Sequence, residues 1–282
     1  MSNQNENSDL SVLFIGDISA RPGRQAVAEV LSGIREKHGI DFVIANAENA
    51  AGGRGVTREI LNELQSYGID YFTAGEHVWD IKEFRTDLED TSLPIVRAYN
   101  YENEKEVPGK GWGMIDLGSR KLIVACLLGK TFMRQDVRNP LYAFDEMYEE
   151  IKERVGEDEL KNIPLVVDFH AEATAEKRIF AWYVRDRATA VIGTHTHVGT
   201  VDTMLFPGEN DSHRCAYVSD VGMAGPQLAS LWVDFDSVVH NTKYPYKKSF
   251  KVSKSEKKIF NSVQVKIQGK AAKSIERIDK LV

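Results

Sequence analysis

The feature that most limits how this chain can fold is an alternation of short apolar segments with helical segments. The segment SVLFIG is apolar and β-branched and ends at Gly16 and Asp17, and the segment that follows has Pro22 near its start and Gly39 at its end, as a helix does. DFVIAN, TREILNELQSYG and IDYFTAG repeat the order strand, helix, strand. Because strands that alternate with helices form parallel sheets, the chain is predicted to begin as a parallel β-α-β unit.

The pattern changes after Ala98. WGMIDLG and KLIVACLLG are joined by Ser119 and Arg120, which predicts an antiparallel hairpin and the start of a second sheet. A single charged helix is predicted over DEMYEEIKERVGEDEL, followed by a strand that ends at His170, a helix and a further strand. SVQVKI and its neighbours are expected to form terminal strands at a sheet edge.

The composition is that of a globular protein. Hydrophobic residues make up 42% of the 282 residues, so a buried core is expected, with residues 1–10 as a disordered polar tail and residues 11–282 as a single domain. A net charge of -6 disfavours a protein that holds long nucleic acid through its overall charge. The chain has no apolar run of about 20 residues and no signal-peptide pattern, which predicts a cytoplasmic protein without a membrane partner. Cys126 and Cys215 are expected to be buried thiols.

Side chains that bind metals follow the predicted strands. They are Asp17, Glu48, Glu76, His77, His170, His195 and His197. In open α/β sheets ligands bind outside the carboxyl ends of the strands, so these side chains can converge although they are far apart in sequence. Carboxylate oxygens and imidazole nitrogens without a thiolate suit Mn, Fe or Zn better than Ca. The sequence therefore predicts a metal site.

Several of the candidate residues also have a simpler interpretation. Asp17 can cap the helix that follows it, and His195 and His197 can be exposed loop residues. Arg21 and Arg54 are candidates for contact with a substrate phosphate, but they can equally be surface charges. The repetition of metal-binding side chains after several strands favours the metal site over these separate explanations.

The motifs FIGDISARPGR, NAENAAGGRG, TAGEHVWD, DFHAEATAEK and GTHTHVGTVD occur in this order. Together they resemble the YmdB-like metallophosphoesterases of the calcineurin-like superfamily, over about residues 11–225. The resemblance implies an α/β fold in the form of a two-sheet α/β/β/α sandwich. It also implies a pair of Fe or Mn ions, with Zn as an alternative, and hydrolysis of phosphodiesters by a hydroxide that bridges the ions. The implied substrates are cyclic nucleotides, 2′,3′-cyclic and also 3′,5′-cyclic.

The resemblance implies a role for each motif residue. One ion would be held by Asp17, Glu48, Asn49 and His197, and the other by Glu48, Glu76, His170 and His195. His77 resembles the proton donor to the leaving oxygen, although a core histidine packed near Trp79 is the simpler interpretation. Glu76 stands where the family pattern has Asn, so the ligands would carry three negative charges instead of two. The extra charge is expected to tighten cation binding and lower Lewis acidity, unless the longer side chain swings away and leaves the second ion loosely held.

Two other functions remain open. The same site can act on a phosphomonoester or on the end of a short RNA. Alternatively, the chain is a regulatory RNA-binding protein whose catalysis is weakened by Glu76. The regulatory function would use a lysine cluster interleaved with Tyr244, Tyr246 and Phe250, and the cluster comprises Lys243, Lys247, Lys248, Lys251, Lys254, Lys257 and Lys258. Lysines that protect a sheet edge are the simpler interpretation. The sequence also leaves a homo-oligomer open.

Overall fold

The computed structural model describes residues 9–209 and 213–282. In chain order the strands are β1 (Leu10–Ile15), β2 (Asp17–Ile18), β3 (Phe42–Asn46), β4 (Tyr71–Ala74), β5 (Ile95–Arg97), β6 (Trp112–Asp116), β7 (Lys121–Leu128), β8 (Leu165–His170), β9 (Ala190–Thr194), β10 (Met204–Pro207), β11 (Arg214–Val218), β12 (Met223–Pro226), β13 (Lys258–Phe260), β14 (Ser262–Gln268), β15 (Ala271–Arg277) and β16 (Lys280–Leu281). The α-helices are α1 (Ala20–His38), α2 (Arg58–Ser66), α3 (Lys82–Asp87), α4 (Pro140–Val155), α5 (Glu157–Leu160), α6 (Thr174–Val184) and α7 (Phe235–Lys243). A 3₁₀ turn follows β4 at Glu76–Trp79.

Two six-stranded sheets form the centre of the fold. The first has the order β15-β14-β1-β3-β4-β5, in which β1, β3, β4 and β5 run parallel and β14 runs antiparallel to β1. The second has the order β10-β11-β9-β8-β7-β6, with a parallel centre and antiparallel strands at both edges. A smaller sheet, β16-β13-β12-β2, joins the chain terminus to the start of α1.

The core lies in three apolar layers. Leu31 of α1 and Leu61 of α2 pack on the outer face of the first sheet. Phe144 of α4 and Phe180 of α6 pack on the outer face of the second sheet. Strand side chains including Phe14, Ile44, Val124, Ile192 and Val265 fill the space between the two sheets. Strands that bury both faces read as continuous apolar runs, which is the pattern of SVLFIG and KLIVACLLG. The predicted α/β/β/α sandwich is confirmed.

Three local predictions need correction. The fold begins at Leu10 and not at residue 11, because Leu10 is buried and pairs with Ile267 of β14; residues 1–8 of the expected tail lie outside the described residues. The single helix predicted over DEMYEEIKERVGEDEL is divided into α4 and α5 at Gly156, whose φ of 94° lies in a region that an α-helix does not use.

The lysine cluster is the third correction. Of its members only Lys258 lies in a strand, β13, and that strand is paired on both sides with β12 and β16. Edge protection is therefore wrong as an explanation, since most of these lysines lie in irregular backbone or at the end of α7. Cys126 and Cys215 are buried and free, as predicted. Within residues 9–209 and 213–282, every helix is too short or too polar to cross a membrane.

Candidate metal centre

The predicted metal-binding residues come together at the carboxyl ends of the parallel strands of both sheets. Asp17 follows β1, Glu48 follows β3 and Glu76 follows β4 in the first sheet, while His170 ends β8 and His195 follows β9 in the second. Gly75 allows this approach, because a Cβ atom there would lie 2.4 Å from Cδ2 of His170 and 2.6 Å from Oε2 of Glu48. The two sheets therefore share one site at their edge.

Four of these side chains form a compact group of donor atoms. Glu48, Glu76, His170 and His195 each offer one ligand atom, and these atoms all lie within 4.8 Å of one another. Nε2 of His170 is 3.1 Å from Oε1 of Glu48, 3.1 Å from Oε2 of Glu76 and 3.0 Å from Nδ1 of His195. Oε2 of Glu76 is buried and accepts no hydrogen bond of acceptable geometry in the described part of the chain. Such a convergence of oxygen and nitrogen donors, with one buried oxygen that accepts no hydrogen bond, fits a divalent cation.

A second group lies on the other side of Glu48. Nδ2 of Asn49 is 3.2 Å from Oδ1 of Asp17, 3.2 Å from Oε1 of Glu48 and 3.3 Å from Nε2 of His197. Nε2 of His197 lies 3.5 Å from Oδ1 of Asp17. Because Oε1 of Glu48 contacts both groups, this carboxylate stands between two candidate cation positions.

The electrostatics of the centre favour bound positive charge. Burial opposes ionisation of Glu76, but His170 and His195 outweigh it and lower the pKa of this carboxyl to about 2. The pKa of Asp17 is also held well below its ordinary value, by His197 and His170 against the effect of burial. Burial likewise disfavours charge on His170, yet Glu48 and Glu76 raise its pKa well above the ordinary value. Asp17 and Glu76 are thus ionised at neutral pH and can hold a cation.

The orientation of His170 depends on a buried network that sequence reasoning did not identify. Oγ1 of Thr194 lies 2.8 Å from Nδ1 of His170 and donates to Oδ1 of Asp168 at 2.6 Å. Oδ2 of Asp168 accepts from Thr73 at 2.5 Å and from Nδ2 of Asn46 at 3.0 Å. Burial raises the pKa of Asp168 to about 6. The network holds Nδ1 of His170 away from the centre, so Nε2 faces the carboxylates.

The loop that carries His195 and His197 has an unusual backbone. Their φ angles are 92° and 63°, in the left-handed region that residues other than glycine rarely adopt. Oδ2 of Asp220 holds the intervening Thr196 through its backbone N at 3.0 Å and its hydroxyl at 2.7 Å. Asp220 is paired with the buried Lys177 at 3.0 Å. Sequence reasoning missed both residues, although Asp220 follows strand β11 just as Asp17 follows β1.

An open pocket of about 330 Å³ lies over the donor atoms. His77 lines it, with Nδ1 3.0 Å from Oδ2 of Asp80 and its backbone N donating to Oε2 of Glu48 at 3.1 Å. His77 is half-buried and lines the pocket, so the simpler interpretation of it as a core histidine is wrong. Arg54 also lines the pocket, whereas Arg21 is exposed at the start of α1 and does not. The rest of the lining includes Glu172, Leu231, Trp232, Val233 and Phe250.

A two-sheet sandwich with carboxylates and imidazoles converging at the strand ends defines a metallophosphoesterase of the calcineurin-like superfamily. Within this class, the chain belongs to the family of YmdB-like proteins, whose family model matches residues 13–278.

Three known proteins are similar to this chain over nearly its whole length. A 2′,3′-cyclic-nucleotide 2′-phosphodiesterase of Bacillus subtilis is 36% identical over 270 residues, which cover 95% of this chain and 96% of that protein. The crystal structure of a hypothetical protein from Thermus thermophilus has a TM-score of 0.85 at 33% identity and covers 96% of this chain and 99% of that one. The structure of a protein described as a novel phosphatase, from Mycoplasma pneumoniae, has a TM-score of 0.86 at 26% identity and covers 97% of this chain and 94% of that one.

Proposed function

We propose that the protein is a cytoplasmic, metal-dependent phosphodiesterase that hydrolyses 2′,3′-cyclic nucleotides. The observation that carries the proposal is the position of Glu48 between two groups of donor atoms beneath an open pocket. The B. subtilis relative, which is similar over almost its whole length, supports the choice of substrate. The described core between the sheets includes residues from Leu10 to Ala272, which supports a single domain that starts one residue before the predicted range 11–282.

The donor set supports two ions. One position uses Asp17, Glu48, Asn49 and His197, and the other uses Glu48, Glu76, His170 and His195. For Asn49 the amide would turn its oxygen toward the ion, an exchange of O and N that leaves the side chain in place. Nitrogen and oxygen donors without a thiolate favour Mn or Fe, with Zn as the alternative. When bound, the ions stabilise charge on the phosphate and lower the pKa of a coordinated water.

Side chains around the pocket supply the proton transfer and the phosphate contact that the reaction needs. In the proposed reaction the oxygen of a water molecule forms a bond to phosphorus and the water gives up one proton to the solvent, while the bond from phosphorus to the 2′ oxygen breaks and a 3′-monophosphate is left. His77 donates a proton from Nε2 to the departing 2′ oxygen, since its Nδ1 is engaged by Asp80. Arg54 on the pocket rim pairs with a phosphate oxygen.

Product analysis tests this function. The Mn-loaded protein is incubated with uridine 2′,3′-cyclic monophosphate, adenosine 3′,5′-cyclic monophosphate and uridine 3′-monophosphate, and the products are separated by chromatography. We expect uridine 3′-monophosphate from the first substrate and no inorganic phosphate from the third. Release of inorganic phosphate from the monoester without hydrolysis of either cyclic substrate would instead identify a phosphomonoesterase.

Metal analysis tests the two positions. We expect two ions per chain, and Glu48→Gln should lower the content of both because its side chain contacts both donor groups. Loss of one ion alone would show that Glu48 serves a single position. A regulatory protein without catalysis is the outcome if two ions bind and none of the phosphoesters is hydrolysed.

A further inference from the structure

A strongly basic segment borders the pocket and has no part in the proposed chemistry. We call residues 243–258 the basic arm. It contains seven lysines and one glutamate, in a chain whose net charge is -6. In the described part of the chain, Lys258 is the only one of these lysines in a salt bridge, with Glu29 at 2.9 Å. Lys247 donates to the backbone oxygens of Asn241 and Tyr244, and Lys251 interacts with Asp234. The ammonium groups of Lys243, Lys248, Lys254 and Lys257 are in no ion pair among the described residues and remain available for a ligand.

The basic arm is joined directly to the pocket wall. Val252 pairs antiparallel with Val233, and Ser253 N donates to the backbone oxygen of Trp232 at 2.9 Å. This pairing brings Phe250 and Trp232 into the lining that also contains His195. Phe250 is 52% exposed, so part of this apolar residue of the pocket lining is open to solvent.

Two further aromatic residues, Tyr244 and Tyr246, lie on the basic arm beside His240. The rings of Tyr244 and Tyr246 stack with centroids 5.4 Å apart, and both side chains are exposed. Asn241 holds this loop against the end of α7, since its Nδ2 donates to Lys248 O at 2.9 Å and its Oδ1 accepts from Lys248 N at 2.7 Å. Aromatic faces are thus presented in a defined position among the lysines of the basic arm.

We infer that the pocket takes the 3′-terminal nucleotide of a single-stranded RNA and that the basic arm binds the nucleotides that precede it. This inference rests on the proposed function. Phe250, exposed beside Trp232 in the pocket lining, offers an apolar surface on which an unpaired base stacks, and the exposed tyrosines and lysines fit the next bases and phosphates. A free cyclic mononucleotide would fill the pocket but would leave the charge of the basic arm unused. The substrate would then be an RNA strand that ends in a 2′,3′-cyclic phosphate.

A kinetic comparison tests the inference. The substrates are octauridylate ending in a 2′,3′-cyclic phosphate and uridine 2′,3′-cyclic monophosphate, with the Mn-loaded protein. We expect kcat/KM to be at least about 10-fold higher for the octamer, and Phe250→Ala to raise KM for the octamer about 10-fold, as loss of one stacked base does. Equal kcat/KM for the two substrates would overturn the inference.

The lysines are tested by charge removal. Lys248→Ala/Lys254→Ala should lower the ratio of octamer to mononucleotide kcat/KM about 10-fold through loss of two phosphate contacts. The matched control is Lys266→Ala/Lys273→Ala, which removes the same charge from exposed positions of β14 and β15 and should leave the ratio unchanged. Circular dichroism and thermal unfolding of each variant confirm that the fold is retained. Equal effects of the two double variants would contradict a specific role for the basic arm.

A binding measurement separates this inference from the proposed function. Fluorescence anisotropy of fluorescein-labelled octauridylate is recorded in EDTA at several salt concentrations. Because single-strand binding releases about 0.7 counterion per phosphate contact, the slope of log affinity against log salt should fall by about 1.4 in Lys248→Ala/Lys254→Ala. Salt-dependent binding with no hydrolysis of either cyclic phosphate would support the RNA site and refute the proposed function. Hydrolysis of the mononucleotide without binding of the octamer would support the proposed function and refute the RNA site.

Discussion

Oε2 of Glu76 lies 3.1 Å from Nε2 of His170, inside the group of four donors, and accepts no hydrogen bond there among the described residues. The longer side chain that replaces the family's asparagine therefore reaches the centre and does not swing away from it. The proposed second metal position gains a negative charge from this residue. The consequence for catalysis can be measured.

Replacing Glu76 by asparagine restores the family pattern. We expect Glu76→Asn to weaken Mn binding at one position by about 10-fold, which corresponds to about 1.4 kcal/mol. We also expect kcat to rise, because an ion with one anionic ligand fewer is a stronger Lewis acid. Isothermal titration with Mn and steady-state assays measure the two effects. Glu153→Gln is the control, since it removes the same charge from an exposed position of α4 away from the group of four. Unchanged metal content and turnover in Glu76→Asn would refute this role.

Removing the proposed proton donor should separate turnover from metal binding. His77→Ala is expected to lower kcat by about 10²–10⁴-fold and to leave two ions bound. Bis(4-nitrophenyl) phosphate has a leaving group that needs no proton, so its hydrolysis should fall much less. Asp80→Asn keeps the ring but weakens its orientation and should have an intermediate effect. An equal loss of turnover and metal would argue against proton donation by His77.

The hydroxyl of Thr194 should contribute to metal affinity through His170. Thr194→Val removes the contact with Nδ1 of His170, and we expect Mn affinity to fall by about 10–100-fold, as it does when partners of metal ligands are removed. Thr73→Val is the matched control, because Thr73 contacts Asp168 but not His170. Similar losses in the two variants would show that Asp168, and not the orientation of His170, is what Thr194 supports.

The buried pair of Lys177 and Asp220 should be important for stability. Both side chains are 1% exposed, so Lys177→Met leaves a buried carboxylate without its partner. We expect the free energy of unfolding to fall by about 3–5 kcal/mol in urea titrations. Lys161→Met breaks an ion pair with Asp158 on the exposed surface of α5 and should cause no measurable loss. A small effect of Lys177→Met would mean that the hydrogen bonds of Asp220 with Thr196 and Gly222 are enough to stabilise its carboxylate.

The stability of the metal-free protein should depend on pH through Lys270. Burial and the nearby Arg187 lower the pKa of this amine from 10.5 to about 8. Between these two values the unfolded chain binds more protons than the folded chain, so the free energy of unfolding contributed by Lys270 rises with pH. From pH 7.5 to 9.5 the protein should gain on the order of 1 kcal/mol relative to Lys270→Met, measured by urea unfolding of both. Parallel pH profiles would contradict the lowered pKa.

The strands that carry the site residues were largely predicted from local sequence patterns. Apolar runs predicted the strands before Asp17, Glu48 and His170, and parallel topology predicted that the strand ends would meet. The departure at Glu76 was visible in the motif itself. By contrast, nothing in the sequence around Thr194 showed that its hydroxyl contacts His170, because that contact depends on two neighbouring strands of the second sheet.

The sequence by itself determined the parallel β-α-β start, the start of a second sheet after Ala98 and the residues able to bind metals, because periodicity and residue chemistry are local properties of the chain. The two-sheet sandwich was implied by the resemblance of its motifs to a known family. Only the tertiary structure decided that Glu48 stands between two donor groups, that Oε2 of Glu76 points into one of them, and that Phe250 reaches the pocket mouth. These are contacts between segments far apart in sequence. Their distances depend on how strands, loops and the basic arm pack together, which no local pattern encodes.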